Sequence, residues 1–235
     1  MTPFPGWFEA LPSDRLIAEM SLWSADLGRL AQEIERVDSF TDVFHIDVAD
    51  GHFSPALLFF PDLVQVARRN SAKPLHVHLM VADAILEDQI DQFAEAGADL
   101  ISIHAENAQV ERSLARIAGH GLRAGLVLQL HTPVAAAAPW LDRIATLTLL
   151  GTRIGVKGQS LDDQAEPRLR EARGLVAERQ GGKRVVVAAD GGIREHTVLG
   201  LRAAGAETIV MGSLAFNAPD LAARVAWVRA VPRGG

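Results

Sequence analysis

The sequence predicts an α/β fold, a single closed (β/α)8 barrel over residues 1–235, and three observations predict it. Strand-like and helix-like segments alternate eight times along the chain, the pattern of a parallel sheet with crossover helices. At 235 residues the chain is long for a small domain and about right for one barrel of this TIM type. No GxGxxG follows the first strand, which weakens the open-sheet, dinucleotide-binding alternative. No linker rich in Pro, Gly or Ser marks a second domain.

The first strand is expected over roughly Leu16 to Trp23. Ser24 is then a candidate cap for a helix with Leu27, Leu30, Ala31, Ile34 and Val37 at helical spacing. The second strand opens the stretch FHIDVADGHFSP, Phe44 to Pro55. A period of two puts Phe44, Ile46 and Val48 on one face and His45, Asp47 and Ala49 on the other, and Asp50-Gly51 breaks the strand. The loop from Gly51 to Phe60 is long and apolar, better suited to fold over something than to connect. A helix follows from near Pro61-Asp62. Pro74 introduces the third strand, LHVHLMV, with His76 and His78 on one face. Asp83 is a candidate cap for the next helix, which Gly97 ends.

Strand four, ADLISIHAE, brings His104 and Glu106 to its end, and a helix runs from about Gln109 to Ala118. Strand five, RAGLVLQL, leads through His131-Thr132-Pro133 to a short alanine-rich helix. Strand six, IATLTLL, runs into Gly151 to Gln159 and then a long polar helix over roughly Asp162 to Gln180. Strand seven, KRVVVAAD, ends in Asp190-Gly191-Gly192, with a helix from about Glu195 to Ala204. Strand eight, AETIVMGS, ends in Gly212-Ser213 before a last helix from about Pro219 to Val228. The tryptophan-bearing N-terminal segment is a candidate cover for the bottom of the barrel.

Composition narrows the function. Hydrophobic residues make up 49% and charged residues 22%, so a packed core is expected and disorder is not. A net charge of -6 argues against a general nucleic-acid-binding role. The absence of cysteine excludes disulfides, thiolate metal sites and a cysteine nucleophile. The N-terminus does not read as a signal peptide and no apolar run approaches a membrane span, so a cytoplasmic protein is expected.

In such a barrel, active sites lie at the C-terminal ends of the strands. Ser21, His45, Asp47, His78, His104, Glu106, Asp190 and Ser213 all fall there. Each alone has a plain structural reading, as a strand-end hydroxyl, a satisfied core histidine or a turn aspartate. Together they are much harder to dismiss. His45, Asp47, His78 and Asp190 form a two-His, two-Asp set from three strands, suited to Zn, Mn, Co or Fe(II). Asp47 and Asp190 come from strands far apart around the ring, so a substrate between them would meet a carboxylate on each face. That arrangement serves proton removal and return beside a carbonyl, with metal support for an enediolate. Hydrolysis by a metal-held water stays open as an alternative. Glycines after strands six, seven and eight (Gly155 to Gly158, Gly191-Gly192, Gly212-Ser213) offer backbone N–H groups to a phosphate.

These residues resemble the ribulose-phosphate 3-epimerase family over nearly the whole chain. The resemblance rests on Ser21 with Ser24-Ala25-Asp26-Leu27, on HIDVADGHFSP, HVHLMV and AEAGADLISIHAE, and on Thr132-Pro133, Gly158-Gln159, Asp190-Gly191-Gly192 and Gly212-Ser213. It implies one divalent metal on His45, Asp47, His78 and Asp190, with Asp47 and Asp190 as the acid/base pair. It also implies Ser21, His78 and Met80 beside substrate, phosphate on the glycine loops, and a homo-oligomer. The implied reaction converts D-ribulose 5-phosphate to D-xylulose 5-phosphate, and a close relative acts on D-allulose 6-phosphate. A catalytically altered sugar-phosphate-binding barrel is a further alternative.

The chain departs from the family in places. NPGFGGQ is here Arg153 to Gln159, methionines are replaced by Ala49 and Leu150, and VPN is Ser54-Pro55-Ala56. A nearby glycine is Phe60, and the NP before the Thr-Pro region is replaced around Gln129 to His131. These changes gather at the substrate's tail and the pocket wall, where Arg153 and Lys157 add positive charge. The chemistry is expected to be kept and the substrate open to change. Leu57, Leu58, Phe59 and Phe60 are candidates to close over substrate or to meet a second subunit.

Overall fold

The computed structural model describes residues 3–179 and 182–233. Its β-rich segments form eight parallel strands: β1 (Ile17–Ser21), β2 (Val43–Asp50), β3 (Leu75–Met80), β4 (Leu100–His104), β5 (Arg123–Leu128), β6 (Thr146–Leu150), β7 (Val186–Asp190) and β8 (Thr208–Met211). Each pairs with its sequence neighbours, and β1 pairs with both β2 and β8. The sheet therefore closes into a TIM barrel and has no edge among these eight strands.

Strand parity separates two environments. Outward residues such as Met20, Phe44, Ile46, Leu79, Ile103, Leu126 and Leu149 join one apolar core beneath the helices. Their partners in alternation are largely polar yet buried: Glu19, His45, His76, Ser102, Thr146, Thr148 and Thr208. At the strand starts the interior is apolar again, where Phe8 packs with Ile17, Val43, Leu100, Ala145 and Val186. Trp7 and Leu11 pack against this cluster, and Arg184 holds the segment by donating to the carbonyls of Leu11 and Pro12. The N-terminal segment covers the bottom of the barrel, as expected.

The helices are α1 (Leu30–Asp38), α2 (Pro61–Asn70), α3 (Asp83–Ala96), α4 (Val110–Gly119), α5 (Ala165–Ala177), α6 (Glu195–Ala203), α7 (Ser213–Phe216) and α8 (Leu221–Ala230). Four details differ from the sequence expectations. Two 3-10 turns precede α1; Asp26 caps the second by accepting from Gly28 N at 3.0 Å, and Ser24 lines the mouth of the barrel instead. Asp83 is the first residue of α3, and its carboxylate accepts from Asn107 Nδ2 and Ala108 N, tying α3 to the loop after β4. The alanine-rich segment after β5 is a 3-10 helix, Val134–Trp140, in which Pro139 has no N–H for an α-helical ladder. Helix α5 begins at Ala165 rather than Asp162, whose carboxylate accepts from Gln164 N in the preceding turn; the expected end at Gln180 lies outside the described residues.

The loop after β2 does fold over the barrel mouth. Asp50 organises it, accepting from His52 N, Phe53 N and Ala82 N. Leu57–Leu58 pairs antiparallel with Ala49 and Asp50, and the Phe53 ring lies 4.9 Å from that of His104. No helix among the described residues is long and apolar enough to cross a membrane.

Candidate metal centre and active site

The inward face of β2 carries His45 and Asp47, that of β3 carries His78, and β7 ends in Asp190. Barrel closure brings one donor atom of each within 4.8 Å of the others. His45 Nε2 lies 3.1 Å from Asp47 Oδ1 and 3.9 Å from Asp190 Oδ2. His78 Nδ1 lies 3.3 Å from Asp47 Oδ1 and 3.8 Å from Asp190 Oδ2. A tetrahedral ion about 2.0–2.2 Å from each donor needs donor separations of roughly 3.3–3.6 Å. The four residues bracket that spacing and offer two imidazole nitrogens and two carboxylate oxygens, so they fit a first-row divalent ion.

The far side of each imidazole is also bonded. His45 Nδ1 donates to Glu19 Oε1 at 2.7 Å, and His76 Nδ1 reaches the same oxygen at 2.6 Å. His76 Nε2 meets Ser102 Oγ at 2.6 Å, and Thr208 Oγ1 donates to Glu19 Oε2 at 3.3 Å. His78 Nε2 lies 2.9 Å from His104 Nε2, and His104 Nδ1 lies 3.0 Å from Glu106 Oε2. Ser21 Oγ donates to Asp47 Oδ2 at 3.0 Å.

Electrostatics separate the two aspartates. Burial opposes the charge on Asp47, but His45 and His78 outweigh it and hold this carboxyl far below the usual range. Asp190 is pushed up to about 6, first by burial and further by the Asp47 charge. Burial also opposes a charged His45, yet Asp47 and Glu19 raise it well above the ordinary imidazole value. Glu19 is held far below its usual value by His76 and His45 against its own desolvation. Burial pushes His104 down to about 4.

Above the four ligand candidates opens a cavity of about 380 Å³. Asp47, His78 and Asp190 reach it with Ser21 and Met80, while His45 lies behind them, fully buried. Gly155, Gly158, Gly191, Gly192, Gly212 and Ser213 also line it. Ser21, Asp47, His78, Met80, Asp190, Lys157 and the loop glycines line this cavity, His45 lies behind it, and His104 and Glu106 stand outside the lining, behind His78. Gly191 and Gly192 have φ of 84° and 71°, and a Cβ on Gly192 would come 2.8 Å from Leu161 Cα, so this turn requires glycine. Lys157 Nζ donates to the Trp23 carbonyl and sits 4.9 Å from the Trp23 ring centroid, bridging the loops after β6 and β1. Arg153 and Arg194 also line the cavity.

Sequence reasoning gave no site role to Glu19, Trp23 or Arg194, and noted His76 only as sharing a face with His78. Glu19 had a signal, a carboxylate in the middle of a buried strand, IAEMS. Trp23 and Arg194 had none beyond adjacency to site residues.

The family model described as the ribulose-phosphate 3-epimerase family matches residues 17–216. A ribulose-phosphate 3-epimerase of Synechocystis sp. is 35% identical over 221 residues, 92% of this chain and 94% of the relative. The Bacillus subtilis ribulose-phosphate 3-epimerase is 34% identical over 211 residues, 89% of this chain and 96% of the relative. Among solved structures, a 3-hexulose-6-phosphate synthase from Salmonella typhimurium aligns with TM-score 0.68 at 13% identity, covering 92% of this chain and 98% of that one. That likeness speaks to the barrel alone. The family match and the two full-length relatives show that this chain, an isomerase by kinship, belongs to the ribulose-phosphate 3-epimerase family.

Proposed function

We propose that the chain inverts C3 of D-ribulose 5-phosphate to give D-xylulose 5-phosphate by proton transfer. The observation that carries this reading is the pair Asp47 and Asp190, brought by β2 and β7 to one cavity, where in the metal-free site burial favours the protonated form of Asp190 and two imidazoles favour the ionised form of Asp47. Two carboxyls whose surroundings drive them apart make an acid and a base. Asp47, ionised, takes the C3 proton from one face, and Asp190, protonated, returns one to the other. The reverse reaction exchanges the roles. His45, Asp47, His78 and Asp190 would hold a divalent ion, Zn, Mn, Co or Fe(II), which when bound supplies Lewis-acid stabilisation of the negative charge that deprotonation creates. Ser21 orients Asp47 through its hydroxyl. The glycine N–H groups after β6, β7 and β8, with Lys157, hold the phosphate, and Met80 excludes water from the reacting carbons.

Proton NMR of D-ribulose 5-phosphate in D2O, with each metal supplied in turn, tests the proposal. Loss of the C3 proton signal with growth of xylulose 5-phosphate is expected. A stable C3 signal with every metal would overturn it.

A second reading keeps the chemistry and changes the sugar, for example to D-allulose 6-phosphate. Its support is the pair Arg153 and Lys157 on the loop wall, which adds two cations to the cavity lining. Comparison of kcat/KM for the two ketose phosphates decides between them. The proposal extends to a homo-oligomer. Leu57 and Phe60 at the barrel mouth are 80% and 56% exposed, apolar surface that a second subunit would cover. Sedimentation as a monomer at working concentration would remove that part.

A further inference from the structure

We infer that His104 and Glu106 are positioning residues that decide which nitrogen of His78 is open to the metal, acting through a buried imidazole-to-imidazole relay. The inference rests on the metal reading above and adds residues that touch neither metal nor substrate.

The relay is continuous. His78 Nδ1 faces Asp47 and Asp190, and its Nε2 lies 2.9 Å from His104 Nε2. His104 Nδ1 lies 3.0 Å from Glu106 Oε2. The other oxygen of Glu106 accepts from Gln129 N at 3.0 Å and from the Thr132 hydroxyl, so the loop after β5 anchors the chain. Both imidazoles are essentially inaccessible, at 1% and 0% exposure, and the Phe53 ring closes over His104.

Two facing imidazole nitrogens at hydrogen-bond distance share a single proton, which has two possible owners. A carboxylate only accepts, so Glu106 requires the His104 proton on Nδ1. His104 Nε2 is then a lone pair and can only accept from His78. The His78 proton is therefore on Nε2, and Nδ1 presents its lone pair to the ion site.

The opposite assignment fails at both ends. With its proton on Nε2, His104 would turn a lone pair toward the Glu106 carboxylate. His78 would then carry its proton on Nδ1, where Asp47 and Asp190 attract it and where it blocks coordination. Without the relay, those two carboxylates would draw the proton to that position. His45 reaches the same end by a shorter route, because Glu19 accepts directly from its Nδ1–H. Outer groups of this kind typically change metal affinity about 10–100-fold when lost.

The test uses the full chain, stripped of metal with chelator and titrated with Co(II) by visible absorption. Two-bond 1H–15N spectra of histidine-labelled protein read the tautomer of His78 in parallel. Wild type is expected to bind one Co(II) and to show His78 protonated on Nε2. His104→Phe removes the acceptor, and Glu106→Gln cannot serve His104 without setting an amide N–H against Gln129 N–H. Both are expected to weaken Co(II) binding about 10–100-fold and to move the His78 proton toward Nδ1. His104→Gln, which places an amide oxygen near the lost Nε2, is expected to recover most of the affinity.

Wild-type affinity and an unchanged His78 tautomer in Glu106→Gln would overturn the relay and leave the metal centre standing. Failure of wild type to bind Co(II) would overturn both. Loss of affinity in His104→Gln equal to that in His104→Phe would show packing rather than proton placement, and would also overturn it.

Discussion

Asp47 and Asp190 share one ion-sized space and are both desolvated, yet donors surround the first and stand farther from the second. Ser21 and both imidazoles turn toward Asp47, whereas Asp190 has only longer approaches, 3.9 Å from His45 Nε2 and 3.8 Å from His78 Nδ1. Removing either proton-transfer group is expected to lower kcat by about 10²–10⁴-fold. Asp47→Asn and Asp190→Asn, each checked for a native circular dichroism spectrum, measure this; near-normal turnover in either would exclude it from the reaction. Asp190→Asn has a second consequence. In metal-free protein the folded state raises this pKa to about 6 from its ordinary value of 3.8. The folded state therefore binds the proton more tightly than the unfolded chain does, and the ionised group opposes folding at higher pH. The neutral substitution is expected to raise the thermal midpoint in chelator above pH 6, by at most about 3 kcal/mol of stability. The gain should shrink from pH 6 to 4 and vanish below. With metal added the sign should reverse, because a ligand has been lost.

The loop after β6 shows how far an element's ends can be read without its path. Its start and its glycines follow from the sequence, but Lys157 meets Trp23 from 134 positions away, a pairing no local pattern encodes. Gly155 and Gly158, with φ of 68° and 79°, flank Val156-Lys157 and turn this tip across the cavity. Partial desolvation lowers the Lys157 pKa, although the residue stays exposed at the loop tip. If Lys157 holds the substrate's phosphate, Lys157→Met should raise KM about 10-fold with kcat little changed, as for loss of one charge-assisted hydrogen bond. An equal fall in kcat would place Lys157 at the reacting carbons instead. Helix starts show the same limit. Ser24 and Asp83 are good cap residues by type, but Ser24 lines the cavity and the Asp83 carboxylate bonds to the loop after β4. Local propensity ranks candidates, and tertiary demand chooses among them.

A closed barrel has two ends with different tasks, and most of the site was readable because parity alone assigns it. His45 and Asp47 sit two residues apart on the inward face of β2, His78 lies beside Asp47 on β3, and a parallel ring delivers all such faces to one mouth. Glu19 was not assigned, because a lone carboxylate within β1 does not name its partners; pairing of β1 with β2 sets it against His45 and, from the next strand, His76. The bottom follows the opposite logic, with an apolar layer sealed by a segment that precedes the first strand. Phe8 is 2% exposed, edge-on to Trp7 at 5.5 Å, and beneath the Arg123 guanidinium at 5.5 Å. Truncating a buried phenylalanine typically costs about 3–5 kcal/mol, from lost transfer energy and the cavity left behind. The Phe8 layer lies at the strand starts and the catalytic cavity at the strand ends, with the buried polar layer of Glu19, His45 and His76 between them. Phe8→Ala is therefore expected to lower stability by that amount in urea titration, while kcat and KM of the folded fraction stay at wild-type values. A changed KM would show that the bottom layer bears on the geometry of the mouth through the polar interior.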